Sequence, residues 1–231
     1  MNKIILIDSS SYSYYRVTAT LKYWEYSQQK TTPSINNEQF IDTLGKLYLQ
    51  GLETFGKKHD IALNQMFNIR DCSMDQIWRC SIYPQYKAHR FDCAESKEHI
   101  GPYIKILNET YHKLFRHTIR INGCEADDVI FMLVQLLNSM NPKSEIYIIS
   151  NDSDFHQIAI NYNVHFINPK KFVEILVPNP TKFLVDKIRK GDPCDGVASA
   201  KKNGLRLNRQ LIDLTYTPRT LQDLMVKNLL E

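Results

Sequence analysis

Long apolar runs, paired cysteines and a strong net charge are all missing from this sequence. No segment approaches the ~20 apolar residues that a membrane-spanning helix needs, and the N-terminal apolar run is too short for a secretion signal. The five cysteines are odd in number and form no CxxC pair, which argues against a disulfide framework and against a zinc site. The net charge of +4 is mild and identifies no partner by itself. We therefore expect a soluble, cytoplasmic protein with free thiols and no membrane contact.

The chain contains short apolar runs that alternate with segments of helical periodicity. Five runs predict strands, at residues 3–7, 65–69, 145–149, 164–167 and 172–177. Helical spacing begins at Ser9 and at Glu38, extends over 103–115, and resumes after Gly123 and after Pro180, whereas 82–97 predicts a partly helical surface segment. This alternation predicts an α/β fold with a central, mostly parallel sheet, helices on both faces, and a smaller helical subdomain at the C-terminal end.

Acidic residues follow three of the predicted strands. Asp8 follows the first strand, Asp71 follows the second, and Asp152 and Asp154 follow the strand at 145–149. The carboxyl ends of parallel strands meet at one edge of a sheet, where ligands bind. Five further acids can face the same crevice, three at the start of a helix and two in the loop GDPCDG: Glu125, Asp127, Asp128, Asp192 and Asp195.

Carboxylates crowded into one crevice repel each other unless cations neutralise them. Oxygen-only clusters suit Mg²⁺ or Mn²⁺, and two such ions about 3.5–4 Å apart are used to cleave phosphodiesters. Each acid also has an ordinary structural explanation. Asp127 and Asp128 near a helix N-terminus favour the macrodipole, and an Asp after a strand is often a turn residue or an N-cap. Position alone leaves both interpretations open.

Six motifs spread over the chain carry a more specific signal: ILIDSS at 4–9, RDCSMDQIWR at 70–79, YPQYKAHR at 83–90, GCEADD at 123–128, SNDSDFHQI at 150–158 and GDPCDGVASAKK at 191–202. In this order they resemble the 5′-nuclease family of flap endonucleases, the 5′-nuclease domain of bacterial DNA polymerase I and T-even phage ribonuclease H. The GVAS variant is most similar to the phage form. The resemblance implies a PIN-like catalytic domain over 1–180, with an arch-like region at about 80–98. It also implies a helix-hairpin-helix-like DNA-binding subdomain over 181–231, which is trimmed here because the usual Gly-x-Gly run is absent.

The resemblance also assigns residues. It implies two Mg²⁺ ions, with Mn²⁺ as a substitute, the first held by Asp8, Asp71, Glu125 and Asp127 with Asp128 close by, and the second by Asp152, Asp154, Asp192 and Asp195. Lys87, Arg90 and Arg79 would form the catalytic set. Nucleic acid would contact Tyr83, Tyr86, Gly191, Gly196, Lys201, Lys202 and Arg206, with K⁺ in the C-terminal loop. For the tyrosines, core packing is the favoured alternative to base stacking.

The implied activity is that of a monomeric 5′→3′ exonuclease and flap endonuclease. It would hydrolyse phosphodiester bonds near 5′ ends of branched or nicked DNA or RNA–DNA hybrids, in primer removal or repair, with a replication protein as partner. Two alternatives stay open. A PIN-like endoribonuclease acting on single-stranded RNA would normally lack YPxYKxxR and GDxxD, and a non-catalytic nucleic-acid-binding module would lack some of the acids.

Overall fold

A six-stranded sheet forms the centre of the computed structural model, which describes residues 3–28, 33–92, 100–160 and 162–230. The strand order is β3-β2-β1-β4-β5-β6, with the first five strands parallel and β6 antiparallel to β5. The strands are β1 Lys3–Asp8, β2 Phe67–Ile69, β3 His117–Ile119, β4 Glu145–Ile149, β5 Val164–Ile167 and β6 Glu174–Ile175. The expected α/β fold with a mostly parallel sheet is confirmed.

Strand β1 lies at the middle of the sheet, where both faces are covered. Its residues Ile5, Leu6 and Ile7 are fully buried, as the apolar run of a central parallel strand requires. Ile7 is in register with Asn68 of β2 and with Ile149 of β4. The carboxyl ends of three neighbouring strands are therefore level.

Helices cover both faces of the sheet. On one face, a buried cluster joins β1 and β4 to the helices Ser9–Gln28, Glu38–His59 and Gly101–Tyr111. On the other face, a second cluster joins the same strands mainly to the helix Ala126–Met140. The described ranges contain α1 Ser9–Gln28, α2 Glu38–His59, α3 Trp78–Ile82, α4 His89–Asp92, α5 Gly101–Tyr111, α6 Ala126–Met140, α7 Pro180–Lys190, α8 Ala200–Asn203, α9 Leu205–Ile212 and α10 Arg219–Leu230. Within these ranges no helix is both long and apolar enough to cross a membrane.

The C-terminal helices pack directly on the sheet domain. Ile188 of α7 and Leu211 of α9 share a buried cluster with Ile77. The side chain of Gln157, in the 3₁₀ helix Ser153–Ile160 after β4, donates to the carbonyl of Ile212 and accepts from the amide of Leu214. The C-terminal segment is thus fixed beside the strand end that carries Asp152 and Asp154.

Strand β3 is the main element that the sequence pattern does not predict. It has three residues, and His117 at its start is exposed, so no apolar run marks it. The predicted strand at 172–177 shortens to Glu174–Ile175 and runs antiparallel at the sheet edge. Of the predicted surface segment at 82–97 and arch-like region at 80–98, the residues after 92 lie outside the described ranges.

Candidate active site

Eight of the nine acids expected as metal ligands line one cleft of about 1370 Å³ at the carboxyl edge of the sheet. They are Asp8, Asp71, Glu125, Asp127, Asp152, Asp154, Asp192 and Asp195. Lys87, Arg90 and Lys187 line the same cleft. The level strand ends and the start of α6 bring these groups together from distant parts of the sequence.

Asp8 is the buried carboxylate at the end of β1. Its two oxygens accept hydrogen bonds from the Ser150 hydroxyl at 2.7 Å and from the Ser11 amide at 3.2 Å. Burial, and then the charge of Asp71, raise the pKa of Asp8 to about 7. Asp71 itself accepts from the Ala126 amide at 2.8 Å, at the N-terminus of α6. These two acids have no cationic partner among the described residues, so the site has room for a positive ion.

Arg79 lies beneath the cleft and not within it. Its guanidinium, with a 1% exposed side chain, donates to both oxygens of Asp128 at 2.8 and 2.9 Å, to Glu125 at 3.0 Å and to the carbonyl of Leu211 at 2.8 Å. Arg79 therefore cannot touch a substrate in this arrangement. The expected catalytic role is replaced by a positioning role, because the guanidinium holds Glu125 and joins the start of α6 to α9.

Asp128 is the ninth expected metal ligand, and hydrogen bonds from protein donors already occupy both oxygens of its carboxylate. Besides Arg79, it accepts from the Thr217 hydroxyl at 2.8 Å, the Trp78 indole at 3.1 Å and the Glu125 amide at 3.1 Å. Although its oxygens lie within 4.8 Å of those of Glu125 and Asp127, no lone pair is left for an ion. The geometry therefore does not support a ligand role for Asp128.

Two lysines reach into the acids of the cleft. The ammonium of Lys87 contacts Glu125 and lies 3.5 Å from Asp195. Burial lowers the pKa of Lys87, but the attraction of Glu125 and Asp195 outweighs it and raises that pKa above its ordinary value. Lys187 contacts Asp154 and lies 2.7 Å from Asp192. Sequence reasoning missed Lys187, since nothing in the charged helix α7 distinguishes it from its neighbours.

Tyr86 and Arg90 complete the wall formed by the segment 83–90. Arg90 donates to Asp195 at 2.7 Å and to the carbonyl of Cys194 at 3.1 Å. The Tyr86 hydroxyl lies 2.8 Å from Glu125 and 2.9 Å from Asp195, and the residue is only 3% exposed. The ring of Tyr86 is buried and its hydroxyl bridges two carboxylates, so this arrangement agrees with core packing, the interpretation favoured for the tyrosines, and does not present the ring to a base.

The other expected nucleic-acid contacts divide into two groups. Gly191 and Gly196 have structural functions: a Cβ on Gly191 would lie 2.4 Å from the carbonyl oxygen of Val197, and one on Gly196 would lie 2.9 Å from that of Gln85. The partly buried Tyr83 has its hydroxyl 3.5 Å from the carbonyl oxygen of Gly196. The second group is exposed on α8 and α9, where a duplex could reach it: Lys201, Lys202 and Arg206.

The acids of the cleft fit divalent cations. All the candidate ligand atoms are oxygens, which suits hard ions such as Mg²⁺. Asp154, Asp192 and Asp195 present oxygens within 4.8 Å of one another. Burial raises the pKa of Asp127 and of Asp152, and neighbouring acids add to the effect. Bound cations would reverse this by favouring the ionised carboxylates.

Carboxylates and lysines thus gather at the carboxyl edge of a mostly parallel α/β sheet, where ligands bind in folds of this class. Residues 3–185 match the family described as 5′-3′ exonuclease, N-terminal resolvase-like domain. Because this match spans most of the chain, the protein belongs to the 5′–3′ exonuclease family and is a nuclease, that is, a hydrolase of phosphodiester bonds. No curated protein sequence matches the chain.

Solved structures from bacteriophage T5 share the fold. The T5 D15 protein co-crystallised with metal ions superposes with a TM-score of 0.70 at 15% identity. The T5 D15 flap endonuclease in complex with DNA and metal ions gives 0.67 at 15%, and T5 5′-exonuclease with bound zinc gives 0.66 at 16%. Each comparison covers 99% of this chain and 98% of the other.

Proposed function

We propose that this nuclease depends on divalent metal ions and cuts phosphodiester bonds near free 5′ ends and branches of DNA and of RNA–DNA hybrids. The observation that carries the proposal is the cleft in which eight carboxylates meet Lys87, Arg90 and Lys187. A cleft with this excess of negative charge repels a polyanion unless cations bind first. Membership of the 5′–3′ exonuclease family supports phosphodiester hydrolysis as the reaction, and the excess of carboxylates in the cleft supports its dependence on metal ions.

Two Mg²⁺ ions, with Mn²⁺ as a substitute, are the cofactors that this donor set favours. Asp8, Asp71, Glu125 and Asp127 would hold the first ion, and Asp152, Asp154, Asp192 and Asp195 the second. When bound, such ions supply the acidity that activates water and the charge that stabilises a departing oxygen. A K⁺ ion in the loop before α8 is a further part of the proposal.

The basic residues of the cleft would bind and orient the scissile phosphate. Arg90, whose side chain is partly exposed, can offer two parallel N–H groups to phosphate oxygens. Lys87 is held in the cleft by a backbone with φ of 56° and by an amide that donates to the Asp195 carbonyl at 2.8 Å. A fixed ammonium at this position stabilises the negative charge that develops on the phosphate during cleavage.

The substrate is proposed to be a branched or nicked duplex, and its biological setting primer removal or repair beside a replication protein. The exposed Lys201, Lys202 and Arg206 would contact duplex phosphates. Such contacts do not depend on base sequence and weaken with salt. This behaviour suits an enzyme that recognises the ends and junctions of strands.

The test uses three 5′-labelled substrates: a flap duplex, a nicked RNA–DNA hybrid and single-stranded RNA, each with Mg²⁺ and with EDTA. We expect Mg²⁺-dependent cutting at the flap junction and from the 5′ end of the hybrid. Equal cutting in EDTA would refute metal dependence. Cutting of the single-stranded RNA alone would assign the protein to the endoribonucleases instead.

A further inference from the structure

A second pocket, of about 430 Å³, lies outside the acidic cleft, between α1, α2 and the loop after β5. Its walls include three basic side chains, those of Arg16, Lys58 and Lys171, together with Gln50 and Phe172. The described residues that line it include no acid. The pocket therefore has the opposite charge to the cleft and is suited to an anion.

Arg16 is the fixed element of this pocket. Its guanidinium lies 5.2 Å from the ring centre of Tyr12, 5.4 Å from that of Tyr15 and 5.3 Å from that of Phe172. Its Nε donates to the Tyr12 hydroxyl at 3.1 Å, and one terminal nitrogen reaches the carbonyl of Pro169 at 3.5 Å. Among the described residues no carboxylate pairs with it, so other N–H groups of the fork stay available to a ligand.

Two residues with locally unfavourable conformation or propensity, Gly51 and Phe172, contact this guanidinium. Gly51 lies in the interior of α2, where glycine destabilises a helix relative to alanine. A Cβ there would lie 2.1 Å from Nη2 of Arg16 and 2.7 Å from the Phe172 ring. Phe172 has a φ of 50°, a strained conformation for a bulky residue. The strained backbone of Phe172 and the close packing that only glycine allows at residue 51 therefore both fix the position of the Arg16 guanidinium.

The pocket adjoins the cleft across α1 and the loop after β5. Tyr15 and Lys170 line the cleft, and their chain neighbours Arg16 and Lys171 line the pocket. Lys22 adds a further positive charge on the cleft side of α1. A strand that leaves the acids along this side therefore passes Lys22 and Lys170 in the cleft before it reaches Arg16 and Lys171 in the pocket.

We propose that this pocket binds a phosphate group, with the Arg16 fork on two phosphate oxygens and Lys58 and Lys171 adding charge. Arg–phosphate pairs of this kind are frequently bidentate. The phosphate belongs either to the backbone of the nucleic-acid substrate, away from the scissile bond, or to a free nucleoside monophosphate. The inference deepens the proposed nuclease function and rests on it for the source of the phosphate.

The test compares Lys58→Glu/Lys171→Glu with Lys113→Glu/Lys143→Glu, a control with the same change in charge at exposed lysines outside both linings. Binding of labelled flap DNA is measured by fluorescence anisotropy in Ca²⁺ over a range of KCl concentrations. Each lost phosphate contact lowers the slope of log Kd against log salt by about 0.9. Because the pocket holds one phosphate, we expect the pocket variant to lose about 0.9 in slope and the control to keep the wild-type slope. Equal slopes for both variants would overturn the backbone assignment.

A steric variant tests the same pocket without changing charge. Gly51→Ala places a methyl group against the Arg16 guanidinium while improving the helix propensity of α2. We expect wild-type circular dichroism, flap binding weakened several-fold, and a higher KM for cleavage. A folded Gly51→Ala protein that binds flap DNA as the wild type does would count against the proposal.

Calorimetric titration with dAMP distinguishes the two phosphate sources. If the pocket variant binds flap DNA more weakly and the wild type binds no dAMP, the bound phosphate belongs to the DNA backbone. If the wild type binds dAMP saturably and the pocket variant does not, the bound phosphate belongs to a free nucleotide. If the pocket variant binds flap DNA as the wild type does and the wild type binds no dAMP, the inference is overturned. A wild-type protein that fails to cut any substrate with Mg²⁺ refutes the proposed function instead, so the two failures are separable.

Discussion

The buried pairing of Arg79 with Asp128 predicts a large and specific loss of stability. Arg79→Ala removes hydrogen bonds of 2.8 and 2.9 Å from a carboxylate that is 0% exposed. Breaking a buried ion pair by removing one partner costs about 3–5 kcal/mol, because the remaining charge is uncompensated. For a chain of this length each kcal/mol lowers Tm by about 2–4 °C, so we expect a decrease of roughly 6–20 °C.

Differential scanning calorimetry of metal-free protein measures this loss, and two further variants identify its cause. Arg79→Lys keeps the charge but not the planar fork, so it should lose less. Arg79→Met with Asp128→Asn removes both charges and keeps an oxygen that can accept from the Thr217 hydroxyl or the Glu125 amide, so it should recover part of the loss, since the unpaired charge at residue 128 is gone. An Arg79→Ala protein with Tm within 2 °C of the wild type (below the ~6 °C minimum) would refute the reasoning.

Three other predictions concern the cleft. Asp154→Asn should abolish cleavage and leave flap binding in Ca²⁺ within a few-fold, because it removes metal charge and not phosphate contacts; an active variant would contradict the site assignment. Lys87→Ala should lower kcat far more than it lowers the affinity for flap DNA, as single-turnover and binding assays would measure. If only the affinity changes, Lys87 attracts the substrate and does not act in cleavage. The raised pKa of Asp8, about 7 against 3.8 unfolded, stabilises metal-free protein fully below pH 3.8, and this stabilisation is lost as pH rises through 7. Mg²⁺ should therefore raise Tm more at pH 8 than at pH 5.5, and equal shifts in thermal denaturation would count against this.

The acids of the cleft could be placed from the sequence because strand ends and motif order fix their position. Asp8 and Asp152 follow strands that were predicted nearly to the residue, and parallel strands present their ends at one edge. The packing partners could not be predicted in this way. Lys187 meets Asp154 only because α7 lies on the 3₁₀ helix after β4, and a helical pattern does not say which neighbour a helix chooses.

The same limit applies to the surroundings of Asp128 and Tyr86, which the sequence could not give. Asp128 and Tyr86 belong to motifs that mark a site, but a motif does not indicate whether a side chain is exposed in the cleft or buried beneath it. Asp128 lies one residue beyond Asp127 on α6, and this single step turns its carboxylate away from the cleft toward Arg79. Burial and hydrogen-bond saturation, which depend on tertiary packing, separate the groups that can hold an ion from those that hold the site together.

The positive charge within the cleft is unevenly distributed, and this predicts two unequal metal sites. Among the described residues, Asp8, Asp71 and Asp127 have no ion-pair partner, whereas the ammonium of Lys187 contacts Asp154 and Asp192. An ion held by Asp8, Asp71 and Asp127 displaces no cation and meets Lys87 only at Glu125, but an ion entering the second set competes with Lys187 for the oxygens of both Asp154 and Asp192. Mn²⁺ titration followed by electron paramagnetic resonance should therefore show one tighter and one weaker site.

Lys187→Ala should tighten the weaker site selectively, because it removes the competing ammonium and leaves the carboxylates in place. Lys182→Ala is the matched control, since Lys182 is exposed on the same helix and does not line the cleft. A weaker site with unchanged affinity in Lys187→Ala would mean that the lysine and the ion do not share oxygens. The ammonium would then be a permanent part of the site, and the second ion would have to bind through Asp152 and Asp195 alone.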